Sequence, residues 1–196
     1  MGKTAGMNKI LLMILLCLPA FLKFNAFAGT IEQGTISTAA SSNLLFTHQS
    51  GDEINENDSL RLSGEIGYFF ADNWEIGFAI DLFLGFYDSY ESKGCFFRPY
   101  IGYHYSLYEN QNLYIRFGTG VGISEITSDK SSDRAINQTL LFTELGYESF
   151  ITQNISIDLG LLGMYRRREY DSEYDFEENE RQLYEISTLL KFKIYY

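Results

Sequence analysis

Large apolar residues alternate with small or charged residues from Trp74 to Phe86. Every second position in this stretch is bulky and apolar: Trp74, Ile76, Phe78, Ile80, Leu82, Leu84 and Phe86. The residues between them are mostly glycine, alanine or acidic residues. A period of two is typical of a β-strand with two unlike faces. The pattern therefore predicts a strand and raises the question of which face points inward.

Seven further segments show this alternation to different degrees, so the sequence predicts eight strands. Three are regular (113–123, 155–165 and 184–196), three are less regular (60–70, 97–107 and 138–150), and 34–46 is the weakest. Three connections are short and contain asparagine, "ADN", "YENQN" and "TQN", as expected for tight hairpins. The other four are mostly longer and more charged. Short turns at one end and long polar loops at the other are typical of transmembrane barrels.

The size of an eight-stranded barrel indicates which face is inside. Its interior is only just wide enough to be filled by side chains, so the bulky face would overfill it. The other face combines glycines with charges that would each cost roughly 2–4 kcal/mol at the centre of a bilayer. We therefore predict a lipid-facing apolar surface and a lumen ion-pair network; a soluble, lipocalin-like barrel with reversed faces is the alternative. The predicted network comprises Arg61, Glu65, Glu75, Asp81, Arg98, Arg116, Glu144, Asp158, Glu185, Lys191 and Lys193.

Aromatic residues gather near both predicted ends of the strands, where interfacial belts form in membrane barrels. We expect one belt beside the short turns, with Tyr68, Phe70, Trp74, Tyr103, Tyr105, Tyr147 and Phe150. We expect the other toward the long loops, with Phe86, Phe97, Tyr165 and Tyr184.

The first 28 residues have the order of a secretory signal peptide. Lys3 and Lys9 precede the apolar run 10–22, and "AFA" at 26–28 supplies a small-x-small cleavage site. We predict cleavage after Ala28, which leaves a single barrel domain over 29–196; an uncleaved anchor helix is the alternative. Translation could begin at Met1 or Met7, because either start gives a complete signal.

Charge and cysteine content exclude two classes of protein. Removing the predicted signal peptide removes three lysines and no acid, which leaves 12 basic and 26 acidic residues and a net charge of −14. Such a chain lacks the basic face that nucleic acid requires. Only Cys95 remains, so no internal disulfide is possible. No later run approaches eighteen apolar residues, so a membrane would be crossed by strands.

The hairpin "GEIGYFFADNWEIGF" and the terminal "LKFKIYY" resemble the small eight-stranded outer-membrane proteins of the OmpX and OmpA-barrel type. The resemblance covers essentially all of 29–196. It implies an all-β, antiparallel up-and-down transmembrane barrel in the outer membrane of a Gram-negative-type bacterium. We predict no cofactor and no metal site. Its partners would be outer-membrane lipid, lipopolysaccharide and the barrel-insertion machinery. In that family the machinery reads a final alternating strand with a terminal aromatic, here Phe192, Ile194 and Tyr196.

The sequence "HYS" at 104–106 resembles the His-x-Ser of outer-membrane lipid A deacylases, in which histidine activates a serine nucleophile. In that family asparagine follows the serine, whereas Leu107 follows here. The motif also lies before a short turn, and its phase turns His104 and Ser106 toward the lumen. No carboxylate is evidently placed to orient the histidine. We therefore interpret His104 as a polar lumen residue and predict no catalytic site.

Two charged segments could contact ligands at the long-loop end. The stretch "EYDSEYDFEENE" (169–180) could collect divalent cations, although we expect a solvated acidic loop because regular ligand spacing is lacking. The run 166–168, "RRR", could contact lipopolysaccharide phosphates or pair with neighbouring acids. His48 and Cys95 are interpreted as incidental. The function predicted is a non-enzymatic envelope-structural or surface-interaction role; a lipid A-modifying esterase and a narrow passive channel are the alternatives.

Overall fold

The chain forms a closed barrel of eight antiparallel strands. The computed structural model describes residues 31–51, 58–87, 90–128, 131–170 and 181–196. The strands are β1 (Ile36–Gly51), β2 (Asp58–Ala71), β3 (Trp74–Tyr87), β4 (Tyr90–Tyr108), β5 (Gln111–Ser128), β6 (Ser131–Thr152), β7 (Ile155–Tyr170) and β8 (Arg181–Tyr195). The predicted fold class is confirmed, whereas the predicted signal peptide lies outside the described residues. Within the described residues, no helix is long and apolar enough to cross a membrane.

Each strand pairs with its neighbours in sequence, and β1 pairs with β8 to close the barrel. Ile36 and Tyr196 exchange backbone hydrogen bonds of 3.2 and 2.8 Å at the seam. The β1–β8 register shifts between Ser42 and Phe46, so the closing pair contains a bulge or irregularity. Closure leaves no sheet edge, so every backbone N–H and C=O group of the strands can form its hydrogen bond within the sheet. This is required in the hydrocarbon core of a membrane, where no water is present to bond them.

The three short connections are two-residue turns, at 72–73, 109–110 and 153–154. Asparagine is the second residue of each, and Asn73 adopts the left-handed conformation (φ 64°) that asparagine tolerates. The carbonyl oxygens of Asn73, Asn110 and Asn154 each accept a backbone hydrogen bond of 2.8–2.9 Å from a strand beyond their own hairpin. These bonds connect successive hairpins at the turn end of the barrel.

The charged connections at the opposite end are shorter than predicted. We expected loops over 48–59, 88–94, 124–137 and 166–182, whereas the strand bounds leave only 52–57, 88–89, 129–130 and 171–180 between strands. The β5–β6 ladder, for example, continues to Ser128 opposite Ser131. Backbone pairing does not require an apolar face, so polar strands can extend beyond the segment where alternation identifies them.

The outward face is apolar, as the alternation predicted. Trp74, Ile76, Phe78, Ile80, Leu82 and Leu84 of β3 are all 40–57% exposed. Ten residues of about 3.3 Å rise, tilted by about 40°, span about 25 Å, the height of the apolar band in membrane barrels. On the described strands, outward-facing charged side chains first occur above this band, at Lys93, Glu125 and Arg167.

Aromatic rings enter the interior because glycines on the adjacent strand make room for them. Tyr114 pairs across the sheet with Gly146, and a Cβ at Gly146 would lie 2.2 Å from the Tyr114 ring. The same relation holds for Phe142 with Gly118, Phe96 with Gly122, and Tyr100 with Gly77. The interior is thus filled by pairing large residues with glycines.

Candidate functional site

The candidate site is the interior of the barrel, where the charged residues lie. All eleven residues predicted for the lumen are buried, at 8% exposure or less. They lie on inward-facing positions of seven strands, β2 to β8, because alternation directs every second side chain inward. The described interior contains seven carboxylates against six lysine or arginine side chains.

Arg116 on β5 is the centre of the network. Its guanidinium donates to Glu75 at 2.7 and 3.1 Å and to Glu65 at 2.8 Å. It also lies over the Tyr100 and Tyr114 rings, 4.6 and 4.9 Å from their centroids. One arginine therefore connects carboxylates of two strands and packs between two aromatic rings.

Lys191 on β8 extends this cluster around the barrel. Its ammonium is 2.6 Å from Glu65 and 2.7 Å from Glu144. Lys193, two residues further along the same face, lies 3.4 Å from Glu75. The final strand thus supplies two cations to acids of β2, β3 and β6, which ties the end of the chain to the rest of the barrel.

His104 is fully buried between two carboxylates, near the turn end. Its Nε2 is 3.1 Å from Glu75 and its Nδ1 is 3.1 Å from Glu148. The expectation that no carboxylate orients this histidine is therefore wrong: β3 and β6, distant in sequence, bring Glu75 and Glu148 to it. Asn112, Ser156 and Tyr195 also donate to Glu148. Asp158 completes this group by accepting a 2.7 Å hydrogen bond from Ser156.

A second cluster lies toward the long-connection end. Arg98 donates to both oxygens of Asp81, at 2.6 and 2.8 Å, and Arg61 lies 2.8 Å from Glu185. Arg166 is also buried and donates to Glu185. The interpretation of Arg166 as a lipopolysaccharide contact is wrong for this residue, because β7 continues through it with an inward phase. The alternative, pairing of Arg166 with an acidic residue, is what the structure shows.

An apolar group closes the interior at the turn end. Ile31, which precedes β1, packs with Phe69, Phe150 and Tyr195, and all four are at most 8% exposed. Ile31 is held there by reciprocal bonds with Asn73, each 2.9 Å long. We call these four residues the apolar floor. Phe150 had been expected in the outer aromatic belt; it lies inside because it is in phase with Glu144 and Glu148 on the inward face of β6.

A second apolar cluster fills the interior toward the other end. It is formed by Phe83, Phe96, Tyr100, Leu140, Phe142, Leu162, Met164 and Leu189. Arg98 lies 4.7 Å from the centroid of Phe142, so cations and rings pack directly against each other here. At this end the second charged cluster and the apolar cluster are therefore interleaved, whereas the apolar floor closes the opposite end.

The prediction of the interior residues was incomplete. Glu148 was not predicted, although it lies four residues beyond Glu144 on the same inward face of β6 and the period of two could have identified it. The inward aromatics carried the same signal, because Tyr100, Tyr114 and Phe142 are each two residues from a predicted inward charge. Phe97, expected in the belt near the long connections, instead pairs with Ile80 and Val121 at mid-strand.

The remaining candidate residues lie on the outer surface or outside the described part. Phe192 and Tyr196 are exposed, and Ile194 is half-buried on the same outward face of β8. Cys95 is exposed on the outer wall. The acidic stretch 171–180 and the side chain of His48 lie outside the described residues. Among the described residues, no group of three or more His, Cys, Asp or Glu side chains could hold a metal ion.

The fold is shared with solved outer-membrane barrels at low sequence identity. Neisserial surface protein A matches with a TM-score of 0.64 and 11% identity, over 85% of this chain and 98% of that one. OprG of Pseudomonas aeruginosa matches with a TM-score of 0.55 and 11% identity, over 84% and 97%. The solid-state NMR structure of AlkL gives 0.53 and 14%, over 89% and 95%. No family model and no curated protein matches the chain.

These likenesses show the fold and extend over nearly the whole length of the solved proteins. The chain therefore has the architecture of the small eight-stranded outer-membrane β-barrels, as the resemblance in its sequence implied. At this level of identity, ligands and partners do not transfer from those proteins to this one.

Proposed function

We propose that this chain is an integral outer-membrane barrel that displays the charged connections between its hairpins at the cell surface, with a sealed, non-enzymatic interior. The observation that carries the proposal is the filled lumen. Arg116 and the charged residues around it occupy the middle of the barrel, and the apolar floor closes the turn end. A barrel filled in this way has a structural interior, so its interactions belong to its outer surfaces.

The location in an outer membrane is supported by the exposed wall. Bulky apolar side chains such as Ile76, Leu82 and Val121 are 53–58% exposed, and among the described side chains of the strands, outward-facing charges begin only above the apolar band. An apolar surface that encircles a protein is stable when hydrocarbon covers it. The barrel fold with this arrangement of polarity supports insertion as strands.

A role at the surface is supported by where the negative charge lies. The described part of the interior holds seven carboxylates and six lysine or arginine side chains, so its charges nearly cancel. The chain as a whole carries −11. Most of the excess acid therefore lies elsewhere, and six acidic residues fall between 171 and 180 alone. We propose that this acidic connection contacts cationic partners from outside the cell.

Conductance tests the sealed interior. Purified folded protein is inserted into planar lipid bilayers, with a trimeric porin as the positive control for insertion and recording. We expect no stable conductance step from the wild type. Large, reproducible steps would contradict the proposal and favour the narrow passive channel instead.

Binding of a cationic probe tests the acidic surface. Protein in lipid vesicles is titrated with a lysine-rich peptide at low and high salt. A matched variant replaces every Asp and Glu of 171–180 by Asn and Gln and keeps the length of the connection. We expect salt-sensitive binding to the wild type and its loss in the variant. Equal binding by both proteins would exclude this connection as the contact.

A further inference from the structure

The outer wall contains a groove at the upper edge of the apolar band. It has a volume of about 540 Å³ and crosses strands β2 to β5. The register places Cys95 between Leu82 on one side and Ile123 on the other. The small Cys95 side chain between two larger ones makes the low point of the groove.

An ion pair forms the upper rim of this groove. Lys93 and Glu125 lie one outward position above Cys95 and Ile123, with their charged atoms 3.1 Å apart. Both side chains are more than half exposed, at 64% and 55%. Lys93 pairs with Leu84, which is ten residues beyond the interfacial Trp74 and thus at the top of the apolar band. The groove is therefore apolar in its body and carries a cation at the level of lipid headgroups.

We propose that this groove binds one acyl chain of a phosphate-bearing lipid, with the lipid phosphate at Lys93. The apolar lining suits a hydrocarbon chain, because Leu62, Leu82 and Ile123 expose 49–60% of their surface there. The lysine ammonium has three donors, and Glu125 occupies one side of it, so donors remain for a phosphate oxygen. The inference rests on the membrane location proposed above and adds a specific lipid site to it.

Native mass spectrometry can count the lipid molecules retained by the folded barrel. The protein is purified in a mild detergent, supplied with synthetic phosphatidylglycerol, and activated by stepwise increases in collision energy. We expect one phosphatidylglycerol to remain after the other lipids dissociate. Phosphatidylcholine and a neutral diacylglycerol serve as comparison lipids, and we expect weaker retention of the diacylglycerol because it lacks the phosphate.

Four variants distinguish lipid binding in the groove from the general effects of a substitution on the outer wall. Cys95→Phe fills the low point and should abolish retention of the last lipid. Lys93→Gln should reduce retention about fivefold, the ratio expected for one exposed charge contact. The matched controls lie on β7, away from the groove: Leu161→Phe changes an outward apolar residue and Arg167→Gln removes an outward cation. Both controls should retain the lipid as the wild type does.

The outcomes distinguish this site from the wider proposal. Each variant is first shown to be folded by its altered gel mobility before boiling. Equal retention in Cys95→Phe and wild type would overturn the groove site, and equal retention in Lys93→Gln would overturn the phosphate contact. Appearance, under reducing conditions, of a dimer that Cys95→Phe abolishes would assign the groove to a second copy of the chain instead. Failure of the barrel to insert into lipid would refute the membrane location itself.

Discussion

Removal of the Arg116 charge should destabilise the barrel more than removal of any outward-facing charge. In Arg116→Met the side chain keeps an unbranched apolar stem but loses the guanidinium and its three close contacts with Glu75 and Glu65. The matched control, Arg167→Met, makes the same replacement at an exposed outward position of β7. The comparison separates loss of a buried charge from the general effect of replacing arginine by methionine.

The expected loss in free energy of unfolding depends on the cations that remain around the carboxylates of Glu65 and Glu75. Breaking a buried ion pair by removing one partner costs roughly 3–5 kcal/mol. Glu65 keeps Lys191 at 2.6 Å, and Glu75 keeps His104 at 3.1 Å and Lys193 at 3.4 Å. Because neither acid is left without a cation, we expect about 3 kcal/mol, the lower end of that range. The control should change the free energy of unfolding by about 0.5 kcal/mol or less.

Urea unfolding in lipid vesicles measures the difference. Trp74 is the only tryptophan and lies exposed on the outer wall, so its fluorescence reports loss of the lipid contact. The double variant Arg116→Met with Glu75→Gln should recover part of the loss, because it also removes the charge of one of the two acids that lose the Arg116 contact. Equal unfolding free energies for Arg116→Met and Arg167→Met would refute the account of the interior.

Further predictions concern glycine packing, export, insertion and catalysis. Gly146→Ala should lower the urea midpoint, whereas Gly64→Ala should not, because a Cβ at Gly146 would meet the Tyr114 ring at 2.2 Å and one at Gly64 meets nothing within 4 Å. N-terminal sequencing of the protein from the outer-membrane fraction should begin at Gly29; an intact Met1 or Met7 there would contradict cleavage. Deletion of Tyr196 should slow insertion in cells, measured as the fraction with folded gel mobility, and an unchanged fraction would remove the terminal-signal hypothesis. Lipid A from cells with the wild type or His104→Ala should have identical acylation by mass spectrometry, since His104 is buried inside the barrel; loss of an acyl chain only with the wild type would support the esterase.

The alternation in the sequence was sufficient to predict the architecture and the inward phase of the charges. Trp74 to Tyr87 is a strand with its bulky face outward, and Arg116 and Lys191 point inward as their phase requires. These predictions succeed because a barrel wall has only two faces and a period of two assigns every residue to one of them. One correct residue therefore fixes the orientation of a whole strand.

Large side chains occur on both faces of the barrel wall. Tyr114 and Phe142 lie inside because Gly146 and Gly118 on adjacent strands leave space for them. This pairing depends on register between strands, which a single strand's pattern does not contain. The glycines on the inward face were visible in the sequence, but they were interpreted as open space in the lumen. The structure instead fills that space with rings.

The ends of the strands were the other source of error. Arg166 was placed in a loop because the alternation of large apolar residues ends before it, yet β7 continues to Tyr170. Above the membrane, both faces of a strand meet water or polar groups, so hydrophobic periodicity disappears while backbone pairing persists. The carboxylates around His104 come from β3 and β6, and their convergence likewise follows from closure of the barrel rather than from local sequence.

The most direct test of the central claim compares neighbouring leucines that the structure places on opposite faces. Leu161 and Leu190 are 47% and 41% exposed on the outer wall, whereas Leu162 and Leu189 are at most 1% exposed inside. Methyl NMR of the wild type in lipid nanodiscs, with a nitroxide on the lipid acyl chains, measures which methyls contact hydrocarbon. We predict strong broadening of Leu161 and Leu190, with Leu162 and Leu189 unaffected by this nitroxide or by a water-soluble one. Broadening of Leu162 and Leu189 by the lipid nitroxide, with Leu161 and Leu190 spared, would contradict the account.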